Sequence, residues 1–132
     1  TYWKGKIKPQ VSDEIVSQID FLNSIASLIG SKARSRDGKE LDDVLFNNSG
    51  KGRKNLILEA QTKTALRSKN WILIPPYPGP KRNPNTNIES GRSDNFQLYN
   101  LKIDISQQNN LAKNNPEKLN EMIKRYQDII GK

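Results

Sequence analysis

Phe96-Gln97-Leu98-Tyr99-Asn100-Leu101, followed after a polar stretch by Asn115-Pro116-Glu117 and then by Leu119, Met122, Ile123, Tyr126, Ile129 and Ile130, decides how this chain folds. The first run is short, rich in aromatic and aliphatic residues, and reads as a strand. In the second, apolar residues recur at intervals of three and four, so they line one face of a helix. Asn115 is placed to cap that helix, Pro116 suits its first position, Glu117 complements its positive end, and Gly131 closes it. Burying the six apolar side chains is worth about 10 kcal/mol of gross transfer free energy before entropy is subtracted. A stripe of that kind needs a surface to cover. Leu56-Ile57-Leu58, Thr64-Ala65-Leu66 and Trp71-Ile72-Leu73-Ile74 provide three more strands, with Ser68-Lys69-Asn70 as a hairpin turn in which Asn is the residue tolerant of positive φ. The expected fold class is α+β: a four-stranded antiparallel sheet packed by a C-terminal helix, with an additional N-terminal helix.

The N-terminal helix is read from Ser17-Gln18-Ile19-Asp20, which has capping-box spacing, and from Phe21, Leu22, Ile25, Leu28 and Ile29, which share one face before Gly30. This pattern predicts a core helix. Residues 40–46 predict a further short helix, ended by an Asn47-Asn48-Ser49-Gly50 turn. The expected organisation is one domain, 1–132, with 1–54 as a helical connecting part and 55–132 as the sheet with its terminal helix. No apolar run approaches the roughly 20 residues that span a bilayer. The first residue is Thr, and no initiator Met or signal pattern precedes Tyr2-Trp3, so the chain is expected to begin inside a longer protein or after processing. The absence of cysteine excludes disulfides and leaves the compartment open.

The net charge is +8, from 22 Lys and Arg against 14 Asp and Glu. Lys4, Lys6 and Lys8, then Lys32, Arg34, Arg36 and Lys39, then Lys51, Arg53 and Lys54 carry the excess. Nucleic acid is not the expected partner, because the aromatics are scattered over strands, loop and helix and form no base-stacking motif. Solvated loops, or attraction to a sulfated polyanion, are the remaining readings. Candidates for chemistry are scarce. The chain has no histidine and no cysteine, and the adjacent Asp42 and Asp43 point in different directions on a short helix. Glu59 reads as a strand-face charge and Trp71 as a packing residue. No catalytic residue and no metal ligand is assigned.

Residues 75–95 form a long connection, rich in Pro, Asn, Gly and Ser, with neither helix nor strand periodicity. Tyr77, Lys81, Arg82 and Arg92 are its candidate substrate-binding residues, an apolar ring and three cations of the kind that grip an anionic ligand. Against this stands a disordered insertion without a role.

Several segments together resemble the C-terminal part of arylsulfatase-type sulfatases. The strand 96–101, Asp104 and Gln108-Asn109-Asn110-Leu111-Ala112 resemble a family signature in which E-L-Y-D-L leads into D-P-x-E-x-x-N-L-A. Trp3-Lys4-Gly5 is similar to the family's W-x-G, residues 20–30 to its D-L-x-P-T-L-L-D-L-A-G, and residues 65–74 to its A-L-R-x-G-x-W-K-L-I hairpin. All four occur in family order. Departures are Asn23-Ser24 for P-T, Asn70 where an acidic residue is frequent, and Ile72 for Lys after Trp71; these positions read as peripheral.

The resemblance implies a parent that hydrolyses sulfate esters, sulfated carbohydrates among them, with a formylglycine nucleophile made from a C/S-x-P-x-R motif and with Ca2+. This chain contains neither that motif nor histidine, so by itself it is expected to be inactive, to carry no cofactor, and to need an N-terminal catalytic domain as its partner. There it would complete the fold and wall the substrate pocket. The resemblance also implies a periplasmic or secreted parent, and neither nucleic acid nor membrane as partner. If the chain is torn from such a parent, apolar surface on Trp3 and the first helix is expected to lie exposed. An independent binding module for sulfated glycans or other polyanions is the alternative, and a protein-interaction domain a second one.

Overall fold

A computed structural model describes residues 3–9, 11–47, 49–60 and 63–131. The chain divides into two compact units, Thr1–Lys54 and Asn55–Lys132.

In the second unit, strands β1 (Asn55–Ala60), β2 (Lys63–Ser68), β3 (Trp71–Ile74) and β4 (Gln97–Asn100) form one antiparallel sheet in the order β1-β2-β3-β4. Registers Ile57↔Leu66, Leu66↔Leu73 and Leu73↔Leu98 align four aliphatic side chains in one row across it. That row carries the core. Leu66, Leu73 and Leu98 are buried together with Met122 and Ala112, and Leu119, Ile123, Tyr126 and Ile129 of the terminal helix α2 (Pro116–Ile130) pack around them. Ile130 lies past the edge of the contact and is half exposed. The helix is also pinned at its flank, where the Arg125 guanidinium donates to Ser68 Oγ at 2.9 Å and pairs with Glu121 at 2.9 Å. Pro116 and Glu117 stand where expected. Asn115 makes no side-chain cap, and its amide donates to Leu111 O at 3.3 Å.

The β2–β3 hairpin closes on Lys69-Asn70, but Lys69, with φ of 52°, takes the positive dihedral that was expected of Asn70. The free edge of β4 is covered by a side chain: Asn110 Oδ1 accepts from Leu98 N–H at 3.0 Å while its amide donates to Phe96 O at 3.3 Å, and Leu111 N–H donates to Leu98 O at 2.8 Å. This satisfies edge groups that would otherwise invite pairing.

In the first unit a 3-10 turn, Gln18–Asp20, runs into helix α1 (Phe21–Leu28), which ends at Gly30 with φ of 70° and a Ser31 N–H to Ala26 O bond of 2.8 Å. Of the two expectations for this helix, burial of its apolar face as part of the core is overturned, and the exposure expected of a piece of a longer protein is found. Leu22, Ile25, Leu28 and Ile29 are 52%, 44%, 41% and 71% exposed, whereas Asp20, Asn23, Ser24 and Ala26 are buried. Of the predicted apolar stripe only Phe21 turns inward, against Leu41, Val44 and Leu45.

The physical reason is a set of polar contacts to the following loop. Asn23 donates to Gly38 O at 2.6 Å and accepts from Ser35 N–H at 2.6 Å, and Ser24 Oγ accepts from Leu41 N–H at 2.9 Å. Asn23 and Ser24 are therefore anchors and not peripheral. Gly38 permits the close approach, since a Cβ there would lie 2.4 Å from Ile19 O. The short helix expected over 40–46 is a π-helical turn, Asp43–Asn47. The turn predicted at 47–50 includes Asn48, which lies outside the described residues.

Candidate functional site

The connection between β3 and β4 is an arm held by backbone pairing, which replaces the expected disorder with a ladder. Pro75 begins it and removes a donor. Continuing the β2–β3 register would set Pro75 opposite Thr64, and proline has no N–H to offer. The Tyr77 phenol takes that place, accepting from Thr64 N–H at 2.7 Å and donating to Thr64 O at 2.9 Å. Beyond it Tyr77 and Ser93 exchange backbone bonds of 2.8 and 3.2 Å, Ser90 N–H donates to Lys81 O at 2.9 Å, and Asn83 N–H donates to Ile88 O at 2.9 Å. At the tip, Asn83 Oδ1 accepts from the amides of Asn85 and Thr86, which fixes the turn. The sequence shows no periodicity here because the ladder depends on isolated bridges and side-chain caps.

The four candidate residues occupy different levels of this arm. Tyr77 is half buried at the base, with Lys63 Nζ 5.6 Å above its ring. Arg92 is half buried beside Gly79 and donates to Pro78 O at 3.3 Å. Arg82 is exposed and donates to Asn87 O at 2.7 Å, bracing the tip. Lys81 is exposed to solvent. The same arm also carries two carboxylates, Glu89 and Asp94.

The return strand is tied to the sheet by Gln97, which donates to Gly91 O at 3.0 Å and accepts from the Tyr99 hydroxyl at 2.8 Å. Burial pushes the Tyr99 phenol above its ordinary value, with the charges of Glu89 and Asp104 adding to the effect. Asp104 organises the turn after β4, accepting from Gln108 and Asn109 N–H at 3.0 and 2.8 Å; those bonds hold its carboxyl below the usual range.

Elsewhere, the most enclosed polar group is Asp20. Its carboxylate accepts from Ser17 N–H and Lys39 N–H, each at 2.9 Å, and from the Arg53 guanidinium in a buried ion pair. Burial alone would raise its pKa, but Arg53 and the two amides outweigh burial and hold it below the ordinary carboxylate value. All its lone pairs are committed to structure. A cleft of about 250 Å3 lined by Ser12, Asp13, Glu14, Val44, Ser49 and Gly50 lies in the same unit, and Glu14 is already bonded to Gly52 N–H at 2.7 Å. Among the described residues no three His, Cys, Asp or Glu side chains converge, so these residues do not fit a cation site.

A solved sulfatase structure from Bacteroides thetaiotaomicron, described in connection with the metabolism of multiple glycosaminoglycans, superposes on 98% of this chain with a TM-score of 0.85 at 27% identity. An N-acetylgalactosamine-6-O-sulfatase of the same organism is 28% identical over 131 residues, 96% of this chain. Over nearly its whole length the chain is similar to one part of these sulfatases. An arylsulfatase of Hemicentrotus pulcherrimus shares 41% identity over 51 residues, 36% of the chain. No family model matches the subdomain. It spans 26% of the length of the Bacteroides relative and 28% of the solved chain. Among the described residues no helix is long and apolar enough to cross a membrane.

Sequence reading singled out the arm but not the anchors of the first helix. Asp20, Asn23 and Ser24 are spaced three and one apart opposite the apolar stripe of α1, a polar stripe that signals side chains with partners of their own. Arg53, which answers Asp20 from 33 residues away, leaves no local signal.

Proposed function

We propose that the subdomain belongs to a sulfuric ester hydrolase whose catalytic centre, with its formylglycine and Ca2+, lies in the part of the sulfatase outside this chain. The similarity over nearly the whole chain to a sulfatase about four times as long carries this reading. Within the parent, the sheet and α2 complete the fold, and the arm 75–95 walls the substrate pocket. Lys81, Arg82 and Arg92 supply cationic contacts to a sulfate-ester substrate, a sulfated carbohydrate among the candidates. Tyr77 anchors the arm at its base through Thr64. The parent works in the periplasm or outside the cell, in keeping with its relatives' chemistry on sulfated glycans. The catalytic domain of the same protein is the partner of this chain, and the chain by itself hydrolyses nothing.

Two measurements test this. The isolated chain, incubated with a chromogenic aryl sulfate and with sulfated sugars, with and without Ca2+, should show no turnover; activity that survives repurification would overturn the assignment. In the full-length sulfatase, Lys81→Ala with Arg82→Ala should raise KM for a sulfated glycan with kcat nearly unchanged, because exposed cations bind ground and transition states alike. The loss should shrink at high salt, and a small aryl sulfate should be indifferent. Identical parameters on every sulfated glycan would show the arm to be passive.

A further inference from the structure

The outward face of α1 presents Ile19, Leu22, Ile25, Leu28 and Ile29, from 41% to 71% exposed, on a helix that carries no charged residue between Phe21 and Leu28. Isolated exposed aliphatics are ordinary, but five on one face are an interaction surface. Two observations say what kind. The face is presented by a helix whose opposite side is locked by Asn23, Ser24 and the buried Asp20–Arg53 pair, so it is preformed. It also lacks charge, in a chain with net charge +8, which suits a permanent apolar contact and not a polyanion or a transient partner.

We infer that the outward face of α1, centred on Leu22, Ile25 and Ile29, docks permanently against the remainder of the sulfatase chain. This rests on the sulfatase reading above, and the occupant follows from length: about three quarters of the matched relative lies outside the region this subdomain covers, and an apolar stripe of this size requires a cover. The contact would fix α1, and through Asn23, Ser24 and Asp20 the whole 31–41 loop, to the catalytic part.

The test is hydroxyl-radical footprinting read by mass spectrometry, on the full-length sulfatase and on the 132-residue chain side by side. Leu22, Ile25 and Ile29 should label several-fold more slowly in the full-length protein, while the exposed Val11, Ile103 and Ile105 serve as internal references. Equal labelling in both would overturn the inference, and so would protection in the short chain that grows with its concentration, which would assign the face to a second copy. A second variant, Leu22→Ser with Ile29→Ser, should lower the melting temperature of the full-length protein and leave that of the short chain unchanged; an equal drop in both would also count against docking. Turnover of an aryl sulfate by the full-length protein is measured separately. If it is active and the face labels freely, the docking inference alone fails; if it is inactive while the face is protected, the sulfatase reading fails and the interface stands.

Discussion

Helices α1 and α2 are both amphipathic, yet they bury opposite sides. α2 lays Leu119, Met122, Ile123, Tyr126 and Ile129 on the aliphatic row of the sheet and leaves Glu117, Glu121, Lys124 and Asp128 in water. α1 buries Asp20, Asn23 and Ser24 against a loop and leaves Leu22, Ile25, Leu28 and Ile29 outside. An apolar stripe announces that a face is to be covered, without saying by what. In α2 the cover lies within the same 78 residues that form the unit; in α1 the chain's own residues satisfy the polar side first, because buried amides and a carboxylate with fixed partners cannot be left unpaired.

The contrast predicts different sensitivities. Asp20→Ala should cost the most, about 3–5 kcal/mol of local stability in the first unit, since it strands a buried guanidinium. The readout is hydrogen exchange at the Lys39 and Leu41 amides, and protection retained there would show that the polar side is not what holds α1. Met122→Ala should cost about 2–5 kcal/mol in the second unit by emptying a fully buried site over the sheet; denaturant unfolding followed by Trp71 fluorescence checks it, and a loss below 1 kcal/mol would mean α2 is not seated as described.

A smaller effect should appear with pH. The Asp20 carboxyl titrates lower in the folded chain than the ordinary 3.8. Its contribution is therefore present in full above that range and is lost as pH falls through the folded value. Acid should loosen the Lys39 amide before it loosens Leu66 or Leu73, whose row contains no titratable group; simultaneous loss would break the comparison. Smallest of all, Glu121→Gln removes exposed pairs with Lys118 and Arg125 and should change stability by less than about 0.5 kcal/mol, measured by the same denaturant curves.

Much of this was legible in the residues. The strands at 55–60, 63–68, 71–74 and 97–100 follow from short apolar runs between polar breaks, and α2 from a stripe with proline and glutamate at its start. The arm was legible as a site of interest, since no repeating pattern accounts for residues 75–95, but its ladder was not. That ladder depends on Tyr77 reaching Thr64, Asn83 capping its own turn and Gln97 tying Gly91, bonds that carry no period. Lys69 taking the positive φ shows the same limit, because the strands' register imposed the turn against residue preference. Candidate cations could be named from the chain, but their depths could not: Arg92 folds against Pro78, while Lys81 stays in water.

The sequence by itself determined the four strands, both helices, the sulfatase resemblance and the lack of histidine and cysteine, because periodicity, composition and motif order are properties of residues and their spacing. Tertiary structure alone decided which side of α1 faces inward, that Arg53 closes on Asp20 across 33 positions, and that Asn110 seals the edge of β4. Each of those depends on groups distant along the chain meeting at hydrogen-bond range, and the free energy of such a meeting is set by burial and partner geometry, which no local pattern encodes.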